Sequence, residues 1–266
     1  MNELICEMCG SNEVVKQDGL FVCQVCNTKY SIEEAKKIMF GETVEVEGTV
    51  KIDHSAELNN LYELARRAKD TNNSENALKY YDQILVKDPN SWEAQFYVVY
   101  YRAMQCKIVE IGNVAVDLTN VLPTVFDLIK SNENEEEYER ILRELTNHML
   151  PLSVMLYNAA QSFFNKIRGA LVKAQHAPPH MTRVSNLMDM LFIYGDLIIL
   201  EFGEEYSQFV VEPWKQAIIF VKSTRSNGTL RNFKKKDEKP FEYIEKIKKY
   251  DSSYEPPIKK KKGLFG

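Results

Sequence analysis

Two Cys-x-x-Cys pairs near the start of the chain, Cys6-Glu-Met-Cys9 and Cys23-Gln-Val-Cys26, are separated by thirteen residues and constrain the fold more than any other feature. A thiolate at each end of a two-residue knuckle lets the backbone turn around one cation, and two knuckles complete a tetrahedron of four sulfurs. Four sulfurs leave no open coordination position. The spacing therefore predicts one structural Zn2+ held by Cys6, Cys9, Cys23 and Cys26, with iron in a rubredoxin-like site as the chemical rival. Such a metal holds a fold together and leaves the chemistry to other parts of the chain. The fifth cysteine, Cys106, lies in an apolar helical context. It is expected to be an inert core thiol, because reactive thiols need an electropositive, exposed setting. An odd cysteine count with metal-ligand spacing points to a reducing cytoplasm. The opening Met-Asn-Glu lacks the basic lead and apolar core of a secretory signal.

The residues around the cysteines agree with a small β module at 1–39. Gly10 follows the first knuckle, Val14 and Val15 lead to the hairpin signal Asp18-Gly19, and Leu20-Phe21-Val22 returns to Cys23. Ser31-Ile-Glu-Glu34 reads as a capping box that opens a short helix from Ile32 to about Met39. A unit of this size buries too little surface to fold alone, so the metal would supply much of its folding free energy. Cys6 to Cys26, followed by Tyr30 and Glu34-Ala-Lys-Lys37, resembles the N-terminal zinc ribbons of many bacterial proteins and, more distantly, the transcription-factor ribbon family. Residues 40–54 alternate apolar and polar around Gly48 and are expected to be an extended linker.

From Leu58 the period becomes helical. Leu58, Leu61, Tyr62, Leu64, Ala65 and Ala68 line one face, Thr71-Asn-Asn-Ser74 interrupts, and Ala77, Leu78, Tyr81, Ile84 and Leu85 form a second face that ends at Asp88-Pro89. Leu61, Leu64, Ala65, Ala77, Tyr81 and Pro89 stand where the tetratricopeptide family places its large, small, aromatic and helix-ending residues. The pair at 58–89 thus resembles one such repeat, departing at Ala68 (an aromatic is usual) and Ile84 (a small residue is usual). That resemblance implies that Asn59, Tyr62, Arg66 and Lys69 face a concave, partner-binding side. Glu110-Ile-Gly-Asn113 is expected to break the next helix, and further helices are predicted at about 114–130, 134–149, 152–175, 182–203 and 207–224. Pro151 ends or kinks one of them, and Pro178-Pro179 separates two others. The predicted fold is mainly α: a small β zinc ribbon (1–39), a linker (40–54), an all-helical tetratricopeptide-like domain (55–225) and a basic flexible tail (226–266). The most apolar run, Leu187 to Leu200, is interrupted by Asp189 and Asp196 and falls short of a bilayer span, so no transmembrane helix is predicted.

The net charge of −4 conceals an asymmetry. Residues 221–266 hold 14 Lys+Arg against 6 Asp+Glu, a balance of +8 that leaves −12 on the preceding 220. Such a segment serves an anionic partner or the acidic body itself. It ends in Lys259, Lys260, Lys261 and Lys262, followed by Gly-Leu-Phe-Gly, and resembles the C-termini of some bacterial zinc-ribbon proteins. His176 and His180 invite a second metal site, but the intervening prolines would destroy the helical spacing it needs, which leaves ordinary loop histidines. Asp189 and Asp196 invite acid–base chemistry, yet pairing with a cation such as Arg168 or Arg183 explains them better. No phosphate-cradling glycine loop, His-Glu metal motif or nucleophile triad is legible. The expected function is therefore a non-enzymatic cytoplasmic bacterial adaptor that binds protein partners through its helices. The alternative is a transcription-associated nucleic-acid-binding ribbon protein using the basic tail. A membrane surface ranks below both as a partner, and no small-molecule substrate is expected.

Overall fold

The computed structural model describes residues 4–17, 20–31, 34–35, 38, 55–233 and 237–258. The chain folds as two compact units, Met1–Asp53 and His54–Gly266. It is mainly helical, with one small antiparallel sheet near the N-terminus. That sheet holds β1 (Val14–Gln17), β2 (Leu20–Cys23) and β3 (Lys29–Tyr30) in the order β1-β2-β3. Its register pairs Val14 with Cys23 and Gln17 with Leu20, and then Phe21 with Tyr30. The expected hairpin between the knuckles is present, and β3 was not foreseen. The turn at Asp18-Gly19 and the linker at 40–54 lie outside the described residues. Ser31 and Glu34 form the expected capping box: the Ser31 N–H donates to Glu34 Oε2 at 2.7 Å, and the Glu34 N–H donates to Ser31 Oγ at 3.2 Å.

In the second unit, α1 (Ser55–Asp70) and α2 (Ser74–Lys87) form a hairpin, followed by α3 (Trp92–Met104). Side-chain caps fix these boundaries: Asn73 accepts from the Asn76 N–H and Ser91 from the Ala94 N–H. The chain then turns at 105–107, where the sequence had suggested a break at Glu110–Asn113. Glu110 is instead a capping acid, accepting the Lys107 N–H at 2.7 Å, and α4 (Ile111–Asn132) begins after it. Gly112 lies buried in α4 and its carbonyl accepts from Asn186 Nδ2 at 3.0 Å, so this glycine serves close packing. One helical stretch, Ile108–Asn132, is long and apolar enough to cross a membrane by length and composition. Its buried residues Ile111, Ala115, Leu118, Leu122, Val125, Phe126 and Ile129 recur every three or four positions, while Asp117, Asp127 and Lys130 lie exposed on the opposite side. Packing one face against α3 and α6 explains that apolarity.

Three prolines that the sequence assigned to breaks or kinks lie inside long helices. α5 (Glu135–Lys166) continues through Pro151, and α6 (Ala170–Phe202) through Pro178 and Pro179. A helical proline costs about 3 kcal/mol. In α5 the buried face runs unbroken through Leu142, Leu145, Met149, Leu152 and Leu156, and each such side chain stabilises by about 1.5–3 kcal/mol. In α6 the carbonyls freed by the prolines belong to Ala174 and Gln175, both exposed and open to water. The real break is at 167–169, where the left-handed Gly169 (φ +86°) closes the α5–α6 turn.

The largest correction concerns the basic tail. A 3-10 turn (Glu204–Phe209) leads to α7 (Val211–Ser226), and residues 227–233 and 237–258 then pack onto the helices instead of trailing away. Leu230, Phe233 and Ile258 are buried, and α8 (Lys239–Tyr250) inserts Tyr243, Ile244 and Ile247 into the same core. Its face is amphipathic enough to hold it there once Phe192 and Trp214 are available as partners: the Tyr243 ring stacks on Phe192 at 3.8 Å and meets Trp214 edge-on at 5.6 Å. The lysines complete the attachment. Lys239 reaches Asp189 and Lys246 reaches Asp196, each at 2.7 Å, so the two aspartates find their cations in α8, not in Arg168 or Arg183.

Trp214 itself depends on a missing side chain. Its indole Nε1 donates to the Phe192 carbonyl at 3.1 Å across Gly195, and a Cβ on Gly195 would lie 2.3 Å from that nitrogen. Gly195→Ala should therefore cost about 1–3 kcal/mol through overpacking, read as a lower midpoint of thermal unfolding. An unchanged midpoint would show that the indole can move aside freely.

Candidate metal centre

The two knuckles are built alike. In the first, the Gly10 N–H donates to the Cys6 carbonyl at 2.7 Å and the Cys6 N–H to the Ser11 carbonyl at 2.8 Å. In the second, the Asn27 N–H donates to the Cys23 carbonyl and the Cys23 N–H to the Thr28 carbonyl, both at 2.9 Å. Each knuckle ends on a left-handed residue, Gly10 at φ +72° and Asn27 at φ +59°. Asparagine is the side chain that best tolerates this region, and its place four residues after Cys23 mirrors Gly10 after Cys6. That repeat was readable in the sequence.

This backbone brings the four Sγ atoms within 4.8 Å of one another, with Cys6 to Cys26 at 3.5 Å and Cys9 to Cys23 at 3.6 Å. Sulfurs around a tetrahedral ion with metal–sulfur bonds of about 2.3 Å lie about 3.8 Å apart, so the four thiols can hold one metal ion. Cys6 and Cys23 are buried, and Cys9 and Cys26 face outward.

Neighbouring hydroxyls prepare the sulfurs. Tyr30 Oη accepts the Glu7 N–H at 3.1 Å and lies 3.1 Å from Cys6 Sγ, which leaves its proton for the sulfur. That hydrogen bond draws the Cys6 thiol down to about 6, and the same contact raises Tyr30. Thr28 Oγ1, 3.1 Å from Cys26 Sγ, lowers Cys26 in the same way. Cys9 is pushed up to about 12: a hydrogen bond from Ser11 lowers it, but Cys26, burial and the two remaining thiols outweigh that bond. The four thiols therefore divide their protons unequally, and a divalent cation would favour ionising all of them. Among the described residues no other cluster of His, Cys, Asp or Glu is placed to hold a metal. Cys106 is half-buried, and burial raises its pKa, in keeping with an unreactive thiol.

The residues expected to face a partner fare differently. Asn59 is exposed. Tyr62, Arg66 and Lys69 instead belong to a charged network that closes on α3 and α5. Buried Glu93 receives Arg66 Nε and Nη2, the latter at 2.6 Å, and the Tyr81 hydroxyl at 2.7 Å. Glu144 receives Lys69 Nζ at 2.6 Å and the Tyr97 hydroxyl at 2.5 Å. Burial alone would raise Glu144, yet Lys69 and Tyr97 hold its carboxyl below the usual range. Tyr62 donates to Ser91 and Asp88, and burial pushes it up to about 12. Glu93 and Glu144 carry this network, and no local pattern marks them, because their partners lie 27 and 75 positions away in sequence.

His176 and His180 are both helical, contrary to the loop reading, yet they form no metal pair. His176 lies exposed, edge-on to Phe163. His180 is buried and stacked on Phe164 at 4.3 Å, with neither ring nitrogen hydrogen-bonded.

No protein-family model, curated protein or solved structure matches this chain.

Two outcomes follow from this geometry. Tyr30→Phe keeps the ring packing and loses the bond to Cys6, so it should weaken metal binding about tenfold or more in competition with a chromophoric chelator. An unchanged affinity would show that the hydroxyl does nothing for the ligand. His180 sits in a cavity that disfavours its charge: burial, then Arg183 and Lys173, bring it down to about 4 from 6.5. The unfolded chain thus takes up a proton between pH 6.5 and 4 that the folded chain refuses, so stability falls on acidification through that window and levels off below it. His180→Phe should remove about 2–3 kcal/mol of that loss in urea unfolding at pH 7 and pH 4, and parallel slopes for the two proteins would refute it.

Proposed function

We propose that this chain is a non-enzymatic cytoplasmic adaptor in a bacterial cell, in which a structural zinc ribbon is joined to a helical domain that binds a protein partner. The observation that carries the reading is the four-sulfur cluster itself. All four ligand positions are supplied by the chain, so a tetrahedral ion has no site left for a substrate or water. Zinc is favoured because two matching thiolate knuckles are a common structural zinc scaffold.

The α1–α2 hairpin is read here as a single tetratricopeptide-like pair. Its partner-facing side is narrower than the family resemblance implies, because Tyr62 and Lys69 are committed inward. What remains is a cleft of about 430 Å³ rimmed by Arg66 and Arg140, with Lys69, Glu93 and Glu144 in its floor. Both arginine side chains are more than half exposed, and each is fixed on one side by a carboxylate of the chain. They offer a partner preordered donors at low entropic cost. The nucleic-acid alternative cannot draw on Lys239, Lys246 and Lys249, which pair with acids of the body; Lys259–Lys262, its main residues, lie outside the described residues.

Metal analysis of protein purified without added metal should find one zinc per chain and no visible thiolate-to-iron absorption. Affinity capture from nuclease-treated cytosol should retain a discrete protein partner. Arg66→Glu with Arg140→Glu should lose that partner while Cys106→Ser keeps it. Recovery of nucleic acid alone, or a visible iron spectrum, would overturn the corresponding part of the reading.

A further inference from the structure

Residues 145–188 contain no aspartate or glutamate, in a chain that has 38 of them. The same stretch carries Lys166, Arg168, Lys173 and Arg183. In the fold it spans the greater part of α5, the turn, and the first half of α6. Between Gln161 and Pro179 only Phe164 is buried, and its cover is local: His180 stacks on one side and Lys173 Nζ lies 5.1 Å from the ring. Phe164 is thus the edge of the main core, with Ile167 and Ala177 half-buried against it, and the rest of the hairpin end is thinly covered. At this end Leu171 is 75% exposed, Val172 45% and Phe163 38%. Lys166 and Arg168 are exposed and have no ion-pair partner among the described residues.

We propose that the end of the α5–α6 hairpin docks on an anionic lipid surface, with Leu171, Val172 and Phe163 entering the interface and Lys166, Arg168 and Lys173 facing headgroup phosphates. The combination decides the partner. Exposed aliphatic side chains gain by leaving water for acyl chains, and each nearby basic residue strengthens partitioning onto an anionic leaflet about fivefold. A nucleic-acid site would use the same cations but stack bases on exposed aromatics, whereas Leu171 and Val172 offer no such platform. A second copy of the hairpin would bring like charges together. This surface is made of different residues from the arginine-rimmed cleft, so it stands or falls independently of the adaptor reading.

The test is co-sedimentation of the full chain with vesicles of phosphatidylcholine alone or mixed with phosphatidylglycerol. Three variants accompany it: Leu171→Asp with Val172→Asp, Lys166→Glu with Arg168→Glu, and deletion of 259–266. All substituted side chains are exposed or at the turn, and unchanged thermal unfolding confirms that the fold is intact. Binding should require phosphatidylglycerol, weaken with salt, fall about tenfold or more in each hairpin variant and survive the deletion. Failure to bind phosphatidylglycerol vesicles would overturn the proposal, as would equal binding by the hairpin variants or loss of binding only on deletion. Retention of an RNA homopolymer that the Lys166→Glu/Arg168→Glu variant loses, without vesicle binding, would assign the surface to nucleic acid instead.

Discussion

Helix α6 is apolar around most of its circumference from Val184 to Phe202, and this obligation organises the larger unit. Met190, Leu191 and Phe192 are consecutive and all buried, which places buried side chains on three sides of one helix. A helix of that kind must be covered on all sides, and α4, α5 and α7 supply the cover. Two carboxylates interrupt the apolar surface. Asp189 and Asp196 lie two turns apart, at the edge that the other helices leave open, and α8 closes it with lysines of matching spacing, Lys239 and Lys246. Partly exposed ion pairs of this kind each contribute only about 0–1 kcal/mol, so the attachment of α8 rests chiefly on Tyr243, Ile244 and Ile247. The aspartates help fix where the helix lies, since a shift by one residue would break both lysine pairs.

The N-terminal unit meets the opposite problem. Among the described residues its buried cluster holds Cys6, Cys23, Tyr30 and Ala35, a core too small to outweigh chain entropy by itself. Here the backbone is ordered by repetition: the same two hydrogen bonds and the same left-handed residue close both knuckles. The four thiols are held by local geometry, and a metal bound there would supply the energy that secures the unit.

Much of this was legible from residue order because it is local. Cysteine spacing, the Ser31–Glu34 box, the Thr71–Ser74 interruption and the Asp88-Pro89 stop each act over a few positions. The errors share one origin, the override of a local rule by distant packing. Pro151 reads as a break until the buried stripe on either side is known to be continuous. The segment after Ser226 reads as a tail because its lysines outnumber its apolar residues, and only the exposed flank of Phe192 and Trp214 gives those few residues a place to go. Glu93 and Glu144 were invisible for the same reason. A glutamate in a helix's first turn or on a long helix is ordinary until a fold brings Arg66 and Lys69 to it.

The two basic regions of this acidic chain therefore differ in kind. In α8 the lysines are matched to aspartates and glutamates of the body, and half of the region's 14 basic residues, Lys234–Lys236 and Lys259–Lys262, lie outside the described residues. At the end of the α5–α6 hairpin Lys166 and Arg168 have no acidic partner among the described residues, and the residues between the cations are mostly aliphatic instead of acidic. A solvated helix in a protein this rich in glutamate would ordinarily carry i, i+4 acid–base pairs, as Glu139 and Arg143 do one turn before the acid-free stretch begins. The loss of that pattern at the thinly covered hairpin end removes what would otherwise neutralise the surface, and it leaves a positive field and exposed apolar area in the same place.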